Sequence, residues 1–289
     1  VATRDEWVSG ARPRTLPAAV APVLVGTGAA AQLGAASVGR AVLAGVVALA
    51  LQVGVNYAND YSDGVRGTDV DRVGPMRLTA SAAARPGQVK LAAFAAFGVA
   101  ALAGLALVAV SGHWWLIAVG AAAILAAWYY TGGRRPYGYS GLGEVGVFVF
   151  FGLVATLGTT YTQAGRLSWP AWAGAIGTGL LACALLMANN LRDIPTDVVY
   201  GKRTLAVRLG DHRARVAYQW FVTLPIFLGV SCAPIAPWSL LVLLLLAAVA
   251  ILVVMVRAGA TGIALVPVLV GTGMLQLGYG VLLGLGLAL

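Results

Sequence analysis

An all-α fold is predicted, a polytopic membrane protein built as a bundle of nine transmembrane helices, and three features of the chain predict it. The first is composition: 60% of the 289 residues are hydrophobic and only 10% are charged, where soluble domains carry roughly 25% charged residues. Mean hydropathy is correspondingly high, at +0.87. The second is a series of nine apolar runs, at approximately 15–34, 38–58, 88–110, 113–131, 141–164, 171–191, 213–232, 238–256 and 263–287. Each is close to the roughly 20 residues that span a bilayer, and Gly and Ala are abundant inside them, as suits helices that pack closely in lipid. The third is charge placement. With nine spans, the N-terminus and the loops after spans 2, 4, 6 and 8 share one side, which holds 17 of the 19 basic residues and all ten acidic ones; only Arg40 and Arg166 fall opposite. The positive-inside rule makes the charged side cytoplasmic. The net charge of +9 is thereby a topological signature and not a nucleic-acid surface. The chain reads as one transmembrane domain, 1–289, with cytoplasmic loops at about 59–87 and 192–212.

Taken in order, the first span is entered through Arg12-Pro-Arg14-Thr-Leu-Pro17. Prolines are tolerated at a helix start, and the first span is read as retained, not as a cleaved signal. Arg12 and Arg14 either face an anionic ligand or anchor the helix at headgroups. The second span runs into Asn56-Tyr-Ala-Asn59-Asp60-Tyr-Ser-Asp63. Carboxylates at the end of a membrane helix are costly and therefore candidates for function. Continued as a helix, the stretch puts Asn56, Asn59/Asp60 and Asp63 on one face. The loop beyond interleaves Asp69 and Asp71 with Arg66, Arg72, Arg77 and Arg85, and loops of this length are commonly functional.

The loop after span 4 carries Tyr129, Tyr130, Arg134, Arg135, Tyr137 and Tyr139 before Glu144. The tyrosines suit either an interfacial belt or a site, and Glu144 complements the start of span 5. Span 6 ends in Asn189-Asn190-Leu-Arg192-Asp193-Ile-Pro-Thr-Asp197, with Asp193 and Asp197 again on one face, and Lys202, Arg203 and Arg208 follow closely. Cys183 and Cys232 sit in apolar context as packing residues. His113 lies on the sparsely charged side, a bilayer away from the acids. Gln219, Gln276 and Tyr279 serve either packing or channel lining.

Two acid clusters, oxygen ligands only, flanked by Arg and Lys, suit Mg²⁺, which takes one or two protein carboxylates and completes its shell with water and phosphates. No P-loop, HExxH or GxSxG pattern is suitably placed, and no His/Cys set would hold zinc. An apolar bundle behind the charges can house a long hydrocarbon. A diphosphate head at the rim and a lipid tail between helices together describe a polyprenyl diphosphate.

At these residues the sequence resembles the 1,4-dihydroxy-2-naphthoate prenyltransferases of menaquinone biosynthesis, in the UbiA-type superfamily of intramembrane aromatic prenyltransferases. The matching pieces are Arg12-Pro-Arg14-Thr-Leu-Pro17, Asn56xxAsn59-Asp60xxAsp63 with Gly67-Thr-Asp69, Gly74-Pro75-Met-Arg77-Leu, Pro136-Tyr137-Gly-Tyr139-Ser-Gly-Leu-Gly-Glu144, and Asn189 through Asp197 to Gly201-Lys202-Arg203-Thr204-Leu. They cover spans 1 to 7. One departure is Ala82, where the family pattern leads us to expect Gly.

The resemblance implies nine helices around a central cavity with a lateral opening. It also implies Mg²⁺-dependent prenyl transfer to 1,4-dihydroxy-2-naphthoate with loss of CO₂, giving a demethylmenaquinone. Carried across position by position, Asn56, Asp60 and Asp63 would bind one Mg²⁺ and Asn189, Asp193 and Asp197 the other. Lys202 and Arg203 would neutralise diphosphate, with Arg66, Arg77, Arg192 and Asn59 as further substrate contacts. Tyr137 or Tyr139 would touch the reacting prenyl carbon or the naphthoate. Three rivals are a relative with another acceptor such as 4-hydroxybenzoate, a CDP-lipid phosphatidyltransferase, and a cation-coupled transporter. The second uses one compact acid cluster, and the third tends to bind near the midplane, where no span here carries an acid.

Overall fold

Caps, prolines and glycines punctuate a chain that is helical between them. The computed structural model describes residues 2–68 and 76–289; Asp69, Asp71, Arg72, Gly74 and Pro75, singled out above, lie outside the described residues. Helix α1 (Arg4–Ala11) starts on a capping box in which the Thr3 hydroxyl accepts from the Glu6 amide and the Glu6 carboxylate accepts from the Thr3 amide. It ends at Arg12, left-handed at φ 54°. Pro13 and Pro17 then open a 3₁₀ turn (Pro13–Thr15) and α2 (Pro17–Gln32), positions where the missing N–H goes unmissed. The chain bends by 49° at this elbow.

Helix α3 (Val38–Arg66) continues unbroken through the first acid motif and stops at Gly67, whose φ of 71° favours a residue without Cβ. Helices α4 (Pro86–Ser111) and α5 (Leu116–Tyr129) follow. Helix α6 (Gly143–Val147), a π-helical stretch (Phe148–Val154) and α7 (Ala155–Ala164) make one rod. Helix α8 (Trp169–Val199) carries the second motif in its last turns, followed by α9 (Leu205–Val230). A 3₁₀ lead-in (Pro237–Leu245) precedes α10 (Leu246–Arg257), and α11 (Val266–Ala288) closes the chain.

Six of these rods are long and apolar enough to cross a membrane: Val38–Arg66, Pro86–Ser111, Gly143–Ala164, Trp169–Val199, Pro237–Arg257 and Gly262–Ala288; the bent pair Arg4–Thr15 with Pro17–Gln32 adds a seventh. Leu91, Leu102, Leu244 and Ile251 point outward, a surface stable in lipid and not in water. The protein is an integral membrane protein.

The helices pair α3 with α4, α8 with α9, and α2 with α11. In the last pair the backbones touch: a Cβ on Gly28 would lie 2.2 Å from the Gly284 carbonyl oxygen, the close approach that glycine permits in membrane interfaces. The core fills the α8, α9 and α11 side, around Leu181, Met187, Tyr218 and Tyr279. Helix α5 packs chiefly on α3 and α4, which leaves another of its flanks bordering a cavity. Arg40, one of two bases on the sparsely charged side, donates to the carbonyls of Thr162, Gln163 and Val110 at 3.1, 3.2 and 2.9 Å. It satisfies the exposed C-terminal carbonyls of α7 and α4, and this local task explains its departure from the charge asymmetry. Ala82 keeps the backbone of the expected glycine, with φ at 57°.

Candidate active site

A cavity of about 1530 Å³ opens among α2, α3, α4, α5, α7 and α8, larger than the roughly 300–1,000 Å³ of drug-sized pockets. One end is polar, where the last turns of α3 and α8 meet the loop before α6. The walls then run apolar, past Leu51, Leu105, Ile124 and Phe150, to Trp115, Tyr161 and Leu167. That path follows the whole of α5, about 20 Å at 1.5 Å per residue.

At the polar end the two motifs share one space. Asn56, Asn59, Asp63, Asn189, Asp193 and Asp197 all line it. The Asn56 amide donates to the Ala11 carbonyl at 2.8 Å and the Thr15 hydroxyl at 3.0 Å, and its oxygen accepts from Gln52 at 3.3 Å. It thus ties the elbow between α1 and α2 to α3. Asn59 accepts from the Thr131 hydroxyl at 2.8 Å. Asp63, 6% exposed, lies 3.7 Å from the Lys202 ammonium and accepts a short hydrogen bond from the Tyr139 phenol. Asp193 is held in a fork by Arg192, at 2.7 and 2.8 Å, and the same guanidinium reaches the Asn189 oxygen at 2.8 Å. The Lys202 amide donates to the Asp197 carbonyl at 2.8 Å, turning the chain so that the lysine side chain points back over the site. Arg77, Tyr137, Tyr139, Arg192 and Lys202 line the same space.

Three of the sequence-derived candidates do not line the cavity. Asp60, 1% exposed, accepts the backbone N–H groups of Leu78 and Thr79, each at 2.8 Å, and is absent from the cavity wall. Arg66 is exposed at the rim, donates to the carbonyls of Thr131 and Gly133, and lies 5.4 Å from the centre of the Tyr139 ring. Arg203 is exposed too; its amide donates to the Tyr139 carbonyl at 2.9 Å, so its backbone, not its charge, supports the site.

Burial pushes the Tyr137 phenol up to about 12. Tyr139 is also raised, by burial first and then by the Asp63 charge. Both phenols therefore stay neutral donors at ordinary pH. The Lys202 ammonium sits 4.8 Å from the centre of the Tyr139 ring, a cation–π contact.

Two residues were underread from the sequence. The Arg12 Nη2 is buried in the cavity wall without a partner among the described residues, which favours the ligand-facing reading over a headgroup anchor. Glu144, 5% exposed, accepts from the Asn190 amide at 3.1 Å, while its carbonyl accepts from the Cys183 thiol at 3.2 Å. It clamps α6 to α8 as well as heading its own helix. The Arg-Pro-Arg motif was the available signal for Arg12; for Glu144 only its position after the tyrosine loop hinted at a contact.

The donor set fits Mg²⁺ arriving on a phosphate. Among the described residues no three His, Cys, Asp or Glu side chains converge into a ligand group of their own. Carboxylates and amides instead face each other across the mouth, leaving room for phosphate and water oxygens, the shell Mg²⁺ prefers.

Fold and site together define a helical membrane protein that presents paired acid–amide motifs and cations at the mouth of a lipid-sized cavity. More particularly, the chain belongs to the UbiA prenyltransferase family, whose model matches residues 19–261. Among curated proteins it is 54% identical to the 1,4-dihydroxy-2-naphthoate octaprenyltransferase of Mycobacterium tuberculosis, covering 96% of this chain and 94% of that protein. It is 42% identical to the Escherichia coli enzyme of the same name, covering 74% and 72%. Among solved structures it is similar to a UbiA homolog from Archaeoglobus fulgidus bound to DMAPP and Mg²⁺, with a TM-score of 0.70 at 15% identity over 98% of this chain and 99% of that one. The same homolog bound to GPP and Mg²⁺ gives a TM-score of 0.68 at 15% identity, covering 95% and 98%. At that identity the likeness speaks to the fold.

Proposed function

We propose that this protein transfers a polyprenyl group from polyprenyl diphosphate to 1,4-dihydroxy-2-naphthoate, with Mg²⁺, releasing diphosphate and CO₂ and forming the quinol of a demethylmenaquinone. The observation that carries the reading is the meeting of the α3 and α8 motifs with Lys202, Arg192 and Arg77 at one mouth of a long apolar cavity. The names of the relatives in M. tuberculosis and E. coli support the acceptor.

In this reading Asp63 with the Asn56 and Asn59 amides, and Asn189, Asp193 and Asp197 opposite, hold Mg²⁺, which when bound would offset the negative charge of the departing diphosphate. Before substrate enters, Arg192 and Lys202 hold Asp193 and Asp63. When the diphosphate binds, these cations turn to its phosphate oxygens, so that charge stabilisation is in place where negative charge develops. The allylic C–O bond breaks, the ring carbon bearing the carboxylate attacks the prenyl cation, and loss of CO₂ returns the electron pair that restores aromaticity. Neutral Tyr137 and Tyr139 offer ring faces to the cation, the apolar walls keep water from it, and Arg12 takes the acceptor carboxylate.

On this reading the described residues make nine spans: the seven above, the shorter apolar α5, and α9, whose first turns carry Arg208, Arg213 and Arg215. They form one domain, 1–289, in a bacterial cell membrane, with the N-terminus and both acid-bearing loops cytoplasmic, as charge placement supports. Mass analysis of products from membranes given several prenyl diphosphates and a panel of aromatic acceptors tests the assignment. Mg²⁺-dependent prenylated, decarboxylated naphthoquinol is expected; product from 4-hydroxybenzoate instead would reassign the acceptor, and no diphosphate release would end the reading.

A further inference from the structure

Helix α3 presents two aspartates one turn apart, and the structure gives them different partners. We infer that Asp60 is a positioning residue that seats the 76–84 loop and thereby aims Arg77 into the cavity, while Asp63 alone of the pair faces the metal and diphosphate. The inference rests on the prenyl-transfer reading for what Arg77 meets.

The geometry is local and specific. Both Asp60 oxygens are engaged by successive backbone N–H groups, Leu78 on Oδ2 and Thr79 on Oδ1, each at 2.8 Å. Two adjacent amides converging on one carboxylate form the kind of backbone nest that holds an anion, and bonds to an ionised acceptor are stronger than neutral ones. The carboxylate is out of reach of the cavity, which Asn56, Asn59 and Asp63 all line. One turn further along α3, Gly64 completes the seat: a Cβ there would lie 2.5 Å from the Thr79 side chain. On the other side of the loop the Leu78 side chain is fully buried, in a cluster with Ala84, Val89, Trp7 and Tyr57. Pinned by its amide and its side chain together, Leu78 has one orientation. Its neighbour Arg77 is then directed the other way, into the cavity wall, where it is 8% exposed. A carboxylate clasped by backbone cannot be released by a rotamer change, as one clasped by Arg192 or Lys202 can.

The test compares Asp60→Asn, Gly64→Ala, Arg77→Ala and Asp63→Asn in the purified full chain. Electron paramagnetic resonance follows Mn²⁺ alone, as a stand-in for Mg²⁺, and hydrogen exchange follows the amides of Leu78 and Thr79. Asp60→Asn should keep Mn²⁺ affinity within about two-fold of the parent, whereas Asp63→Asn should lose roughly ten-fold or more, the worth of one charged ligand. Exchange at Leu78 and Thr79 should quicken in Asp60→Asn and Gly64→Ala but not in Asp63→Asn. In turnover, Asp60→Asn, Gly64→Ala and Arg77→Ala should share a raised KM for the prenyl diphosphate with a smaller change in kcat. Loss of Mn²⁺ binding in Asp60→Asn equal to that in Asp63→Asn overturns the inference, and so does unchanged exchange at the two amides. A parent protein that releases no diphosphate would sink the prenyl-transfer reading while leaving the metal and exchange results to stand.

Discussion

The last turns of α3 and α8 carry similar patterns, amides followed by spaced aspartates, yet they are used differently. On α8, Asn189, Asp193 and Asp197 all face the cavity, and Asp193 is forked by a side chain, Arg192, that itself lines the space. On α3 a loop folds back over the helix, takes Asp60 with two backbone amides, and leaves Asp63 with Asn56 and Asn59 to the cavity. An acid motif in a membrane helix thus marks where charge is concentrated. Which acid meets the ligand is decided by what else packs on that turn.

The comparison breaks most sharply at the acids that face inward. Replacing Asp63 or Asp197 by Asn should lower kcat/KM by roughly 10²–10³-fold, the scale of a lost electrostatic contact in a shielded site; steady-state turnover at saturating Mg²⁺ checks it. Arg192→Ala comes next. It leaves Asp193 buried without its fork, and removing one partner of a buried pair destabilises by about 3–5 kcal/mol, so a fall in melting temperature should accompany lost activity. Arg192→Lys should restore little, because an ammonium cannot make the two parallel bonds.

At the other end of the cavity the expected effect is selective. Gly158 lines the wall, and among the described residues a Cβ there meets nothing within 4 Å. Gly158→Leu should therefore fold normally and shift preference toward shorter prenyl diphosphates, read as the ratio of kcat/KM values across chain lengths; an unchanged ratio would place the tail elsewhere. The smallest effect is expected at Ala82, exposed and left-handed. Ala82→Gly relieves about 1–2 kcal/mol of backbone strain, partly offset by the entropy of glycine, and should raise the melting temperature slightly with turnover unchanged.

Much of this was legible in the chain itself. Apolar runs of spanning length marked an all-helical membrane protein, and the charge asymmetry set the two acid motifs on one side. Helical periodicity put Asn56, Asn59/Asp60 and Asp63 on one face of α3 and Asp193 and Asp197 on one face of α8. Periodicity assigns a face, however, and not a partner. Asp60 lies on the same broad face as Asp63, and its capture depends on a loop 18 residues away whose path is set by the burial of Leu78 and the bare backbone of Gly64. Arg66 and Arg203 belong to the right motifs, but carbonyls at Thr131 and Gly133 and solvent claim their side chains. Arg12 remained ambiguous because an arginine before a membrane helix serves headgroups and ligands equally well until its surroundings are known.

In the proposed reading the two motifs act as one site on a single diphosphate. Inorganic diphosphate binding in Mg²⁺, measured by calorimetry on the parent, Asp63→Asn, Asp197→Asn and the double variant, tests it directly. Groups that act as a unit are non-additive, so each single substitution should remove most of the affinity and the double variant should be little worse than either. Losses that multiply in the double variant, or a single substitution that leaves affinity intact, would contradict it.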